Sequence, residues 1–254
     1  MCLIFLALNY HPSYKLIVAA NRDEFYDRPT APASFWEENS NILAGRDLEA
    51  MGTWLGVTRT GRISMLTNFR DPANIKPSAP SRGKLVSDFL AGNSKPADYV
   101  QNVAATGGTY NGFNLIAGTP DELWYYSNYA GKPEKLKDGF YGLSNHLLDT
   151  PWPKVVRGKE KLKEHLASPK PDPDYLFSVL YDEDLAADQC LPSTGLSLER
   201  ERALSAMFIK TSGYGSRCTT VIMIDRENNL FFSERAFNTS TFDFSTQTFR
   251  FKVS

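Results

Sequence analysis

Two apolar runs stand near the head of the chain: "CLIFLALN" from Cys2 and "KLIVAAN" from Lys15, separated by "YHPSY". Their apolar positions are consecutive rather than alternating, which predicts strands covered on both faces. The Pro and Ser between them predict a hairpin loop. "TWLGVTRTGRISMLTNF" predicts two more strands around "RTGR", with Gly61 supplying the turn. The polar tract from Asp71 to Ser81 contains three prolines and predicts a surface loop.

Helical spacing follows. In "SRGKLVSDFLAGN", Leu85, Val86, Phe89 and Leu90 share a face and Gly92 ends it. In "SKPADYVQNVAATGG", Ser94 is placed to cap, Val100, Val103 and Ala104 share a face, and Gly107 stops the helix. "FNLIAG" and "ELWYYSN" predict another hairpin. "PWPKVVRGKEKLKEHLAS" and "DPDYLFSVLYDE" predict helices, the second capped by Asp172 with Pro173 in its first turn. "CTTVIMID", "LFFSERAF" and "FDFSTQTFRFKV" predict three closing strands joined by tight turns such as "RENN". Hairpins imply antiparallel sheets, and two-sided burial requires a layer on each face. The expected fold is therefore α+β: a four-layer αββα sandwich of two antiparallel sheets flanked by helices. No repeat, low-complexity tract or linker divides the 254 residues, so residues 1–254 are expected to form a single domain.

Composition narrows the function. The formal charge is −1 and basic residues are scattered, which argues against nucleic-acid or anionic-membrane partners. Three cysteines (Cys2, Cys190, Cys218) without close spacing point to a reducing compartment, with Cys190 and Cys218 read as structural thiols. The three histidines fall in no metal-ligand spacing, so neither a metal nor another cofactor is expected. The apolar run at the start is too short for a signal peptide, and no stretch approaches the roughly 20 residues of a membrane helix. A soluble, cytoplasmic protein is expected.

Cys2 carries the sharpest question. A cysteine is often a small core residue opening a strand. Position 2 changes the odds, because a small residue there is what removal of Met1 requires. The thiol and a free α-amine would then share one residue. An α-amine titrates at about 7.7–8.0 and a thiol near 8.5, so the amine can take the thiol's proton near neutral pH. "AANRDEFYDRP" lies at the far end of the second strand, beside Cys2 by topology. Asp23 is placed to anchor the amine, and Asn21 or Arg22 to meet substrate. Asn68, at a strand end before a Pro-containing loop, is a candidate oxyanion donor. Asn145 in "GLSNHLL" and Arg217 at the start of a strand complete the set. Each is an ordinary strand-end residue alone; their common placement joins them. "SGYGSR" is too short and irregular for a phosphate loop, and loops such as 27–41 are expected to line the pocket.

The ordered combination of "MCLIFLAL", "ANRDEFYDRPTAP", "GRDLEAMGTWLGVTRTGRISMLTNFRDP", "GLSNHLLDTPWPKV" and "YGSRCTTVIMID" resembles the NRDE family, also called the transport and Golgi organisation protein 2 family, across essentially the whole chain. That resemblance implies the αββα fold of N-terminal-nucleophile hydrolases. It also implies kinship with cysteine amidases of the choloylglycine hydrolase and penicillin V acylase group. On it, Cys2 is similar to the nucleophile, Asp23 to the holder of the α-amine, Asn21 to the Asn of an Arg-Asn-x-Asp pattern, and Asn68 to the oxyanion Asn. Asn145 and Arg217 resemble further site residues. The Arg of that pattern is replaced by Ala20, and Arg22 is expected to face away from Asn21 and Asp23, so it is not a simple substitute.

The expected function is hydrolysis of a linear amide bond in a small-molecule substrate, after Met1 is removed. The alternative is a non-catalytic carrier of haem or an acyl lipid on the same fold.

Overall fold

The computed structural model describes residues 2–254; the expected removal of Met1 lies outside them. The opening runs form β1 (Cys2–His11) and β2 (Tyr14–Phe25), an antiparallel hairpin whose register sets Cys2 opposite Arg22. Seven strands then build one sheet in sequence order: β3 (Thr30–Phe35), β4 (Ile42–Asp47), β5 (Leu55–Thr58), β6 (Ile63–Asn68), β7 (Phe113–Thr119), β8 (Glu122–Ser127) and β9 (Glu134–Lys135). The other sheet gathers β10 (Gly139–Leu143), β1, β2, β12 (Tyr214–Asp225), β13 (Asn229–Phe237) and β14 (Phe244–Lys252) in that order, with β11 (Lys210–Thr211) pairing β12.

Pleating divides each strand between two cores. From β1, Ile4, Leu6 and Leu8 join Leu16 and Val18 of β2 in packing against Val57, Ile63, Met65 and Ile116 of the facing sheet. Leu3, Phe5 and Ala7 point the other way, into a core with α3 (Pro153–Leu166) and α4 (Pro173–Leu180). The outer face of the β3–β9 sheet is covered by α1 (Gly83–Ala91) and α2 (Pro96–Thr106) through Leu85, Phe89, Val100 and Val103. The short α5 (Leu198–Ala203) follows α4. The result is the expected αββα sandwich, and the two-sided burial of the opening hairpin is what the consecutive apolar pattern demanded. None of the described helices is long and apolar enough to cross a membrane.

Local readings need correction in four places. Ser94 does not cap α2; Lys95 holds that position without a side-chain bond, since an ammonium has no acceptor to offer the first-turn N–H groups. Residues 27–41 are not all loop, since β3 lies among them. It is an edge strand containing Pro32, with a bulge between Ala31 and Ser34, and so carries no clean alternation. β10 was likewise hidden by its glycines. Cys190 is exposed in a short 3-10 turn rather than packed, whereas Cys218 is buried.

Gly158 decides how closely α3 approaches β1. A Cβ there would run into the Phe5 ring and the Met207 sulfur. Gly158→Ala is expected to overpack this contact and cost about 1–3 kcal/mol. Urea unfolding checks it, and a midpoint unchanged from wild type would show that the layer gives way freely.

Candidate active site

The Cys2 end of the hairpin opens on a cavity of roughly 400 Å³ between the sheets. Cys2, Arg22, Asp23 and Asn68 line it, together with Trp54 of the facing sheet. Its outer wall is the proline-rich tract, through Pro77, Ala79, Pro80 and Ser81, so that expected surface loop doubles as a lip. A larger depression of about 640 Å³ lies at the opposite end of the hairpin around Tyr14, Asp225 and Arg250. No cysteine, serine or threonine is among the described residues lining it, so it offers no comparable nucleophile.

Cys2 is 9 % exposed, and burial pushes its thiol up from the usual range. The Asp23 carboxylate adds to that rise; the Arg22 charge and the backbone N–H of Asp23, which donates to the sulfur, oppose it. Burial wins, so the sulfur is a thiol at neutral pH and needs a base to attack. Arg22 lies opposite Cys2 in the β1–β2 ladder and shares its face. Its guanidinium stacks on Trp54 at 4.2 Å, and Nη1 donates to Thr30 Oγ1 at 3.0 Å. Arg22 does face away from Asn21 and Asp23. Positions 20 and 22 nevertheless share a face, because strand side chains repeat every two residues. Arg22 therefore presents a guanidinium on the same face as Ala20, two residues further along the strand.

The other predicted residues separate. Asn21 points to the helix side: its Nδ2 donates to the carbonyls of Leu180 and Met207 at 2.8 Å each, and its Oδ1 accepts from Thr219 Oγ1 at 2.6 Å. It ties β2 to the helical layer and is absent from the cavity wall. Asp23 is buried one residue past the Cys2–Arg22 pair and accepts from Ser216 Oγ at 2.6 Å. Burial raises its carboxyl above the usual range, while Lys154 and the Ser216 bond pull it down. Asn145 does not line the cavity. Its Nδ2 donates to the Asn68 carbonyl at 2.9 Å, and its own carbonyl accepts from the Arg70 N–H at 2.7 Å, so it clamps the strand end that carries Asn68. Arg217 is bonded through Nη1 to the carbonyls of Phe25, Tyr26 and Arg28 at 2.7, 3.3 and 3.0 Å, holding the turn after β2 rather than facing the cavity.

Further charged residues were not singled out from the sequence. Arg28 and Arg82 line the cavity; Arg28 pairs with Asp47 at 2.8 Å, and Arg82 donates to the Gly112 carbonyl. Behind Asp23 lie Lys154 and the buried Arg70–Glu201 ion pair at 2.6 Å. Lys154 had a readable signal. Positions 154, 158, 162 and 166 form one stripe of α3, and the other three are Gly, Leu and Leu, so a lysine there stands on a core-facing row. Arg70 and Glu201 had none, since their pairing joins a loop to α5 across 131 residues of sequence. Among the described residues, no cluster of three His, Cys, Asp or Glu side chains could hold a metal.

Glu201→Leu strips the buried Arg70 guanidinium of its counter-charge and is expected to cost about 3–5 kcal/mol. The double variant Arg70→Met/Glu201→Leu should recover a good part of that. Denaturant midpoints of the single and double variants decide it.

A family model described as transport and Golgi organisation 2 matches residues 1–239. A mouse transport and Golgi organization 2 homolog is 37% identical over 277 residues, covering 97% of this chain and 100% of the relative. A human homolog is 36% identical with the same coverage. Among solved structures, an N-acylethanolamine-hydrolyzing acid amidase ortholog from Caenorhabditis elegans superposes with a TM-score of 0.48 at 10% identity, covering 87% of this chain and 92% of that one.

Proposed function

The chain belongs to the transport and Golgi organisation 2 family, and from that premise we propose that it is a cysteine N-terminal-nucleophile hydrolase that cleaves a linear amide bond once Met1 is removed. The observation that carries the proposal is Cys2 at the head of β1, in the wall of a cavity it shares with Arg22 and Asn68 and with the Asp23 N–H on its sulfur. A buried thiol without a histidine base calls for a proton acceptor close by, and a freed α-amine on Cys2 is that acceptor.

In this reading the Cys2 sulfur attacks the amide carbonyl carbon as its proton passes to the α-amine. Asn68 donates through Nδ2 to the oxyanion, and Asn145 acts through Asn68 by clamping its carbonyl. Collapse breaks the C–N bond, the ammonium returns the proton to the leaving amine, and water then hydrolyses the thioester. Arg22 orients the substrate beside the sulfur, and Asp23 accepts from the α-amine. Carriage of haem or an acyl lipid, the other reading, calls for an apolar enclosure. A cavity wall bearing Arg22, Arg28, Arg82, Asp47 and Glu49 suits a polar amide better.

Screening amides with Met1-free protein tests the proposal. Cys2→Ala is expected to abolish turnover, and Asn68→Ala to lower kcat by about 10²–10³-fold with little change in KM. Full activity in Cys2→Ala would sink the mechanism. A haem titration is expected to give no saturable Soret change, and a saturable one would favour the carrier.

A further inference from the structure

Lys154 is the second residue of α3, and its side chain is 1 % exposed. Among the described residues its Nζ has no hydrogen-bond partner. A buried ammonium of this kind is expensive unless an opposite charge stands nearby. The packing shows which one does. Gly158 presses α3 onto Phe5, and Lys154 lies one turn earlier, about 6 Å along the helix axis. Asp23 lies just past the Cys2–Arg22 pair with its side chain on the same helix side as Asn21. The two charges therefore lie buried on the same side of the sheet, beneath the head of β1, and each acts electrostatically on the other.

The groups facing Lys154 come from every element around it: Asp23 on β2, Cys2 on β1, Arg70 after β6 and Glu201 on α5. Tyr214 of β12 stands near Asp23 and Arg70. Arg70 and Glu201 neutralise each other at 2.6 Å. Of the remaining side chains, Lys154 is the foremost cationic influence on Asp23, and Asp23 the foremost anionic influence on Lys154.

Resting on the amidase reading above, we propose that Lys154 is a positioning residue that carries the counter-charge of Asp23, so that Asp23 holds the Cys2 α-amine without converting it to an ammonium. The physical need is direct. A lone buried carboxylate beside an amine raises the amine's proton affinity and spoils it as a base. A fixed cation on the far side of that carboxylate offsets the pull. Burial draws Lys154 down to about 8, so it is still mostly charged at neutral pH.

The test uses full-length, Met1-free protein labelled with [13C]cysteine, in which the Cys2 Cα shift follows protonation of its own α-amine; only Cys190 and Cys218 add further signals. In wild type the amine is expected to titrate at or below the ordinary range of about 7.7–8.0. Lys154→Met should raise that midpoint by about one unit, a tenfold gain in proton affinity, and Lys154→Arg should leave it near wild type. An unmoved midpoint in Lys154→Met overturns the proposal even if the enzyme is an amidase. Stability provides a readout independent of catalysis. Asp23→Asn should restore urea resistance lost in Lys154→Met, and a double variant no more stable than Lys154→Met overturns the pairing. Should Lys154→Met not fold, folding of the double variant is the expected rescue; its failure where Asp23→Asn folds is the overturning result. The pH dependence has a defined sign. From about pH 8 to 10.5 the unfolded chain keeps a Lys154 proton that the folded chain has released, so wild type gains stability relative to Lys154→Met as pH rises. Full hydrolysis by Cys2→Ala would instead remove the amidase reading and leave the pairing to be judged by stability alone.

Discussion

The register of three adjacent strands governs the candidate site. Cys2 of β1, Arg22 of β2 and Cys218 of β12 lie side by side. Alternation then assigns everything nearby to one of two faces. Cys2, Ala20 and Arg22 face the gap between the sheets, where Trp54 and Asn68 meet them. Asn21 and Asp23 face the helical layer. A slip of one residue would exchange those sets and turn the thiol toward α3. The continuous apolar composition of β1 would tolerate that slip; the polar residues of β2 would not. The bonds of Asn21 to Leu180, Met207 and Thr219 make such a shift costly, because each would leave a buried polar group unpaired.

The second constraint is electrostatic. Four buried charges (Asp23, Lys154, Arg70 and Glu201) lie beneath the head of β1, two of each sign. Each would be prohibitive alone, and together they balance. Their elements are distant in sequence, so the cluster forms only when β2, the loop after β6, α3 and α5 have all docked. The thiol side of the sheet carries a different balance. Arg28 is tied to Asp47, whereas Arg22 and Arg82 are engaged by neutral groups, Thr30, Trp54 and the Gly112 carbonyl. Those two guanidinium groups keep bonding capacity toward the cavity, whereas Asn21 and Arg217 are spent on backbone carbonyls elsewhere.

The sequence by itself determined the layers. Runs such as "CLIFLAL" and "VIMID", short and bounded by turn residues, read as strands buried on both faces, and "KLVSDFLAG" as an amphipathic helix, since burial pattern is local and periodic. It also determined that Cys2 and the Asn21–Glu24 stretch meet, because a hairpin with a short loop leaves no alternative. What it could not decide was orientation and partnership. Parity along β2 was legible, yet its consequence for Ala20 and Arg22 became plain only with Cys2 on the same face. Asn145 and Arg217 looked like site residues and are instead spent on backbone carbonyls, a choice made by loops whose paths no periodicity records. Edge strand β3 lacks clean alternation because a bulge between Ala31 and Ser34 shifts its faces, and the glycines of edge strand β10 leave no side chain to show one. Glu201 and Arg70 find each other across 131 residues for one physical reason: buried charges are paired by tertiary packing, and no local propensity encodes the partner.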